Sequence, residues 1–100
     1  MSDPIRVRLT GVGAYLPRDV VTNDDLALKY GIETSDEWIR TRTGIAQRHI
    51  ASGDETTASM AAEAARQALD YAGVDASEVD AVLVATATTD QVFLAVAVQV

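Results

Sequence analysis

Five of the residues best suited to grip a ligand crowd into one short stretch, Thr34 to His49, TSDEWIRTRTGIAQRH: Trp38, Arg40, Arg42, Arg48 and His49. Trp38 and Arg42 are four apart, so a helix places them on one face within reach of each other. An indole beside a guanidinium can stack on a purine ring and hold an attached phosphate by charge-assisted hydrogen bonds. Residue types alone favour a plainer reading, with Trp38 a core anchor and Arg42 its solvated neighbour. His49, next to Arg48, could approach the same phosphate, although a lone His is more often structural. Asp36 and Arg40 are spaced to pair on the helix surface.

Nothing else in the chain supplies a reactive constellation. There is no Cys and one His. Ser35, Ser52, Ser59 and Ser77 stand in cap or loop contexts, so no nucleophile–base pair forms and no catalytic residue is assigned. The carboxylates Asp24, Asp25, Asp36, Glu37, Asp54 and Glu55 fall in helix first turns or loops, where stabilising a helix N-terminus accounts for them. No metal site is expected. Gly11-x-Gly13 lacks the third glycine of a dinucleotide fingerprint. A net charge of −7 argues against nucleic acid or an anionic membrane surface as partner. No secretory pattern and no membrane-length apolar run is present, which sets the expected location as cytoplasmic.

The elements that must position the Trp38 stretch are largely readable. Thr34 followed by Glu37 has the form of a capping box, and Gly44 supplies a left-handed stop, bounding a short helix. Thr22 and Asp25 repeat the capping pattern for a helix that Gly31 ends. Alternation of Ile5, Val7 and Leu9 predicts a strand running on to Ala14 and Tyr15, with Gly11 and Gly13 marking a close backbone approach. A short strand is expected over Ile45 to Ala51 and a loop over Ser52 to Glu55. The spacing of Met60, Ala61, Ala64, Ala65, Ala68, Leu69 and Ala72 predicts a helix over 57–72 closed by Gly73. Its alanines imply a very near neighbour rather than a cofactor. Asp75 to Asp80 is a turn, and Ala81 to Thr86 has the continuous apolar character of a strand buried on both faces. The tail from Asp90 to Val100 fits strand and helix equally.

Several strings fall in one order and spacing: GVGAYLP (Gly11 to Pro17), the Thr22–Leu26 segment, TSDEWIRTRTGI (Thr34 to Ile45), RHIA (Arg48 to Ala51) and VATATTDQVF (Val84 to Phe93). Together the chain resembles the N-terminal portion of the β-ketoacyl-acyl carrier protein synthase III family, FabH-type condensing enzymes of the thiolase superfamily. The resemblance implies an α/β fold, the N-terminal part of a thiolase-like fold with a mixed or parallel sheet and packed helices, incomplete here. Residues 1–100 would be one segment of a thiolase-like half domain that stops before the nucleophile.

Family members condense acetyl-CoA, or another short acyl-CoA, with malonyl-acyl carrier protein to begin fatty-acid synthesis. They are cytoplasmic homodimers using a Cys, a His and an Asn, with no separate cofactor. By this resemblance Trp38 and Arg42 hold the coenzyme A adenine and phosphates, and Thr34 makes a nearby contact. Phe93 would lie near the acyl pocket across the dimer interface. Thr89 and Leu94 replace prolines common in relatives, and Val92 and Val96 make the tail unusually apolar. Two other readings stay open: a non-enzymatic or engineered α/β piece that self-associates through a sheet edge, and a related condensing enzyme with another starter, such as a polyketide priming unit.

Overall fold

The computed structural model describes residues 3–88, which divide into two compact units, 16–55 and a second built from 3–15 with 56–88. In the first unit, strand β1 (Asp19–Thr22) leads without a break into helix α1 (Asn23–Leu28). Thr22 is the N-cap: its hydroxyl accepts from the Asp25 N–H at 3.2 Å and the Asp25 carboxylate accepts from the Thr22 N–H at 3.0 Å. This reciprocal box is the one expected from the sequence. Gly31 follows the helix at φ 65°, as expected of its stop. Helix α2 (Asp36–Thr43) comes next, then strand β2 (Gln47–Ile50). The two strands pair antiparallel, with Asp19 opposite Ile50 and Thr22 opposite Gln47. Val21 from β1 and Ile39 from α2 are the buried apolar residues of this unit. The Ser52–Glu55 loop is fastened where Glu55 accepts from the Arg18 and Ser52 backbone N–H groups.

The second unit is organised on helix α3 (Thr57–Ala72), with the boundaries expected from its periodicity. Thr56 and Ser59 exchange hydrogen bonds at its start, and Gly73 ends it at φ 69°. A 3-10 turn (Ala76–Glu78) follows, its Asp75 side chain accepting from the Ser77 N–H at 2.9 Å. Gly11 and Gly13 run directly against α3. A Cβ on Gly13 would stand 2.7 Å from the Ala68 nitrogen and 2.9 Å from the Gln67 Cβ. A Cβ on Gly11 would stand 3.0 Å from the Ala72 Cβ. The alanine face therefore serves backbone-to-backbone approach, as its composition implied. The Ala14 N–H donates to Gln67 Oε1 at 3.3 Å beside the same contact.

Two expected strands are not formed among the described residues. Segments 5–15 and 81–86 have no ladder partner, and the observed sheet is the antiparallel β1–β2 pair. Ile5, Val7, Leu9 and Leu83 are all at least 88% exposed. Apolar alternation reports which side chains seek burial, whereas a strand also needs a neighbouring backbone to bond. Conversely, β1 was not foreseen, because Val20 and Val21 are too short a run for periodicity to register.

Candidate ligand platform on helix α2

Helix α2 is capped one residue later than expected. Ser35, not Thr34, is the N-cap, with Oγ accepting from the Trp38 N–H at 3.1 Å. Glu37 therefore occupies the second helical position, out of register for a capping box, and Thr34 lies half-exposed just before the cap. Adjacent Thr and Ser offer equivalent hydroxyls, so local sequence rules do not choose between them. Gly44 closes the helix at φ 74°, its N–H donating to the Arg40 carbonyl at 2.8 Å.

These two turns point Ile39 inward and Trp38 outward. Ile39 is 8% exposed, whereas Trp38 is 54% exposed, which overturns the reading of Trp38 as core anchor. The Arg42 guanidinium carbon stands 4.6 Å from the Trp38 ring centroid, a cation–π contact on an open surface.

The other cations of the cluster are committed elsewhere. Arg40 Nε donates to both Asp36 oxygens, at 2.8 and 2.9 Å, realising the expected pair. Arg48 donates to the Val21 carbonyl at 3.2 Å and to Asn23 Oδ1 at 2.7 Å. His49 Nδ1 lies 2.6 Å from the Pro17 carbonyl. A carbonyl only accepts, so that nitrogen carries the proton and ties the ring to the Pro17 backbone. Arg42 forms no ion pair among the described residues, and its recorded contact is the exposed Trp38 ring. Phe93, Thr89, Leu94 and the tail from Asp90 lie outside the described residues.

Sequence reasoning missed Asn23. It is fully buried, and its amide bonds Asp36 at 2.9 Å, the Ile45 carbonyl at 2.7 Å and Arg48. Its place beside the Thr22 cap gives a local reason for a polar residue but no sign of three distant partners.

Asp36 is held below its ordinary pKa of 3.8, first by Arg40 and then by the Asn23 amide. Asp25 is lowered by its Thr22 bonds, Asp54 by Arg18 and Asp75 by the Ser77 N–H. A depressed carboxylate stabilises the fold above its unfolded pKa and loses that contribution as pH falls through its folded one. Thermal melts should be unaffected by these groups from about pH 7 to 5 and decline below about pH 4. A decline that begins near pH 6 would assign the acid sensitivity to some other group.

No family profile matches the chain. It is 61% identical over 92 residues to the β-ketoacyl-[acyl-carrier-protein] synthase III of Granulibacter bethesdensis, covering 92% of this chain and 28% of that protein. The synthase III of Acidiphilium cryptum is 59% identical over 95 residues, covering 95% of this chain and 29% of the relative. Among solved structures, the Aquifex aeolicus 3-oxoacyl-[acyl-carrier-protein] synthase III aligns with TM-score 0.59 and 51% identity, over 65% of this chain and 20% of that one. The priming β-ketosynthase of the R1128 polyketide pathway aligns with TM-score 0.68 and 44% identity, over 78% and 25%. The chain thus spans little more than a quarter of the length of these curated relatives. At such identity across nearly all of its residues, the chain matches an N-terminal portion of the β-ketoacyl-[acyl-carrier-protein] synthase III proteins and of their thiolase-like fold.

Proposed function

We propose that Trp38 and Arg42 form a coenzyme A platform in a condensing enzyme that joins acetyl-CoA, or another short acyl-CoA, to malonyl-acyl carrier protein at the start of fatty-acid synthesis. The observation that carries this reading is the Arg42–Trp38 stack at 4.6 Å on an exposed helix face. The open indole accepts an adenine by stacking, and the adjacent guanidinium supplies paired donors to the phosphates. Thr34, half-exposed beside the helix start, adds a contact at the edge of the same site. The resemblance implies that the acyl group passes through a Cys thiol, and these 100 residues contain no Cys, so the contribution proposed for them is binding. The resemblance further supports a cytoplasmic homodimer in which Phe93 approaches the acyl pocket. Among the described residues no helix is long and apolar enough to cross a membrane.

Trp38 is the only Trp, so its fluorescence reports the platform directly. Coenzyme A should quench it saturably, and Arg42→Ala should weaken that response about tenfold through loss of a charge-assisted contact. Arg40→Ala, whose guanidinium is already engaged by Asp36, should change it little. Equal effects of the two substitutions would remove Arg42 from the site.

The likeness to a polyketide priming synthase favours one second reading, a longer or branched starter in place of a short one. Comparing acetyl-, branched and longer acyl-CoA as primers for the whole protein separates the two.

A further inference from the structure

Asn23 is the one polar residue that is fully buried among the described residues, although it opens a six-residue helix where exposure is usual. Every polar atom of its side chain is used. Nδ2 donates to Asp36 Oδ1 at 2.9 Å and to the Ile45 carbonyl at 2.7 Å, while Oδ1 accepts from Arg48 Nη2 at 2.7 Å. Its backbone N–H donates to the Ala46 carbonyl at 3.2 Å. The sequence positions of these partners matter. Asp36 is the first residue of α2, and Ile45 is the first residue beyond the Gly44 cap. One amide therefore holds the chain at the entry to α2 and again at its exit.

An aspartate at position 23 would lack both donors and face Asp36 with a second carboxylate, and an apolar residue would leave all three partners short of a bond. We propose that Asn23 is a positioning residue for the Trp38–Arg42 platform, clamping both ends of α2 so that its outer face is set before a ligand arrives. The ligand part of this inference rests on the coenzyme A reading above, and the clamp itself does not. Preorganisation of this kind lowers the ordering cost of binding without adding a contact to the ligand.

The arm toward α2 can be cut without emptying the buried site. Asp36→Ala removes the acceptor for Nδ2 and leaves the Ile45 and Arg48 bonds intact. Asp36→Asn keeps an acceptor while losing the charge that engages Arg40. Glu37→Ala removes a neighbouring first-turn charge without touching Asn23, and Arg40→Ala removes Asp36's other partner. Each variant of the 100-residue chain is read twice: by the Trp38 near-ultraviolet circular dichroism without ligand, and by quenching with coenzyme A.

Asp36→Ala should lose roughly half or more of the Trp38 dichroism and weaken coenzyme A about fivefold, while Asp36→Asn restores both signals. Glu37→Ala and Arg40→Ala should stay within about twofold of the parent. Unchanged dichroism in Asp36→Ala, or an equal loss in Glu37→Ala, overturns the clamp. If the parent chain fails to respond to coenzyme A while Asp36→Ala alone loses dichroism, the clamp stands and the ligand reading falls. If the parent responds and Asp36→Ala matches it in both readouts, the ligand reading stands and the clamp falls.

Discussion

Gly13→Ala is expected to destabilise the α3 unit by about 3 kcal/mol, near the upper end of what forced overpacking costs. The added methyl would meet the Ala64 carbonyl oxygen and the Ala68 nitrogen, both backbone atoms, as well as the Gln67 Cβ. Backbone within a helix cannot rotate aside as a side chain can, so α3 or the 11–13 segment must move bodily. A second substitution on α3 should give no relief, because shortening Ala64 to glycine leaves its carbonyl in place. Gly31→Ala provides the contrast. No atom lies within 4 Å of its new Cβ, and the cost arises only from holding alanine at φ 65°. Far-ultraviolet melting of the three variants checks this. Rescue of Gly13→Ala by Ala64→Gly, or a loss no greater than that of Gly31→Ala, would show that the approach is looser than described.

Asn23→Ala should cost about 3 kcal/mol as well, by a different route. Removing the amide leaves the Ile45 carbonyl, Asp36 and Arg48 each one partner short in a part-buried site. A domain of this size converts such a loss into a melting shift of about 10 °C or more. Asn23→Asp should be at least as damaging, since it keeps the acceptor for Arg48 but replaces two donors with charge facing Asp36. A shift under about 3 °C for Asn23→Ala would mean that water enters and takes over the bonds. Salt should moderate the Asp variant and leave the Ala variant unaltered, which separates repulsion from lost hydrogen bonding.

Most of what was legible in the sequence is local. The ends of α3, the Thr22–Asp25 box and the Gly44 stop follow from rules that act over three or four residues, and all three are present. The Trp38–Arg42 contact was legible for the same reason, since four-residue spacing on a helix creates it. The exposure of Trp38 was not, because burial depends on what else reaches that face. Thr34 and Ser35 show the limit of even local rules: two hydroxyls in tandem compete for one cap, and the choice shifts Glu37 out of the box. The strands fared worse because a strand is a relation between distant segments. Ile5, Val7 and Leu9 carry the pattern without a partner, whereas Asp19–Thr22 finds one in Gln47–Ile50 with almost no pattern. Asn23 is the extreme case. Its partners lie 13, 22 and 25 residues away, and nothing at positions 22 to 24 announces them.

The glycine seam along α3 has a mechanical consequence. Where two elements meet through side chains, small displacements are absorbed by rotamer changes, and the joint behaves as a spring. Gly11 and Gly13 leave no such compliant layer against Ala64, Ala68 and Ala72. The joint is closer to a strut: a push along 11–13 passes into the helix backbone with little attenuation, and α3 shifts with it or breaks away.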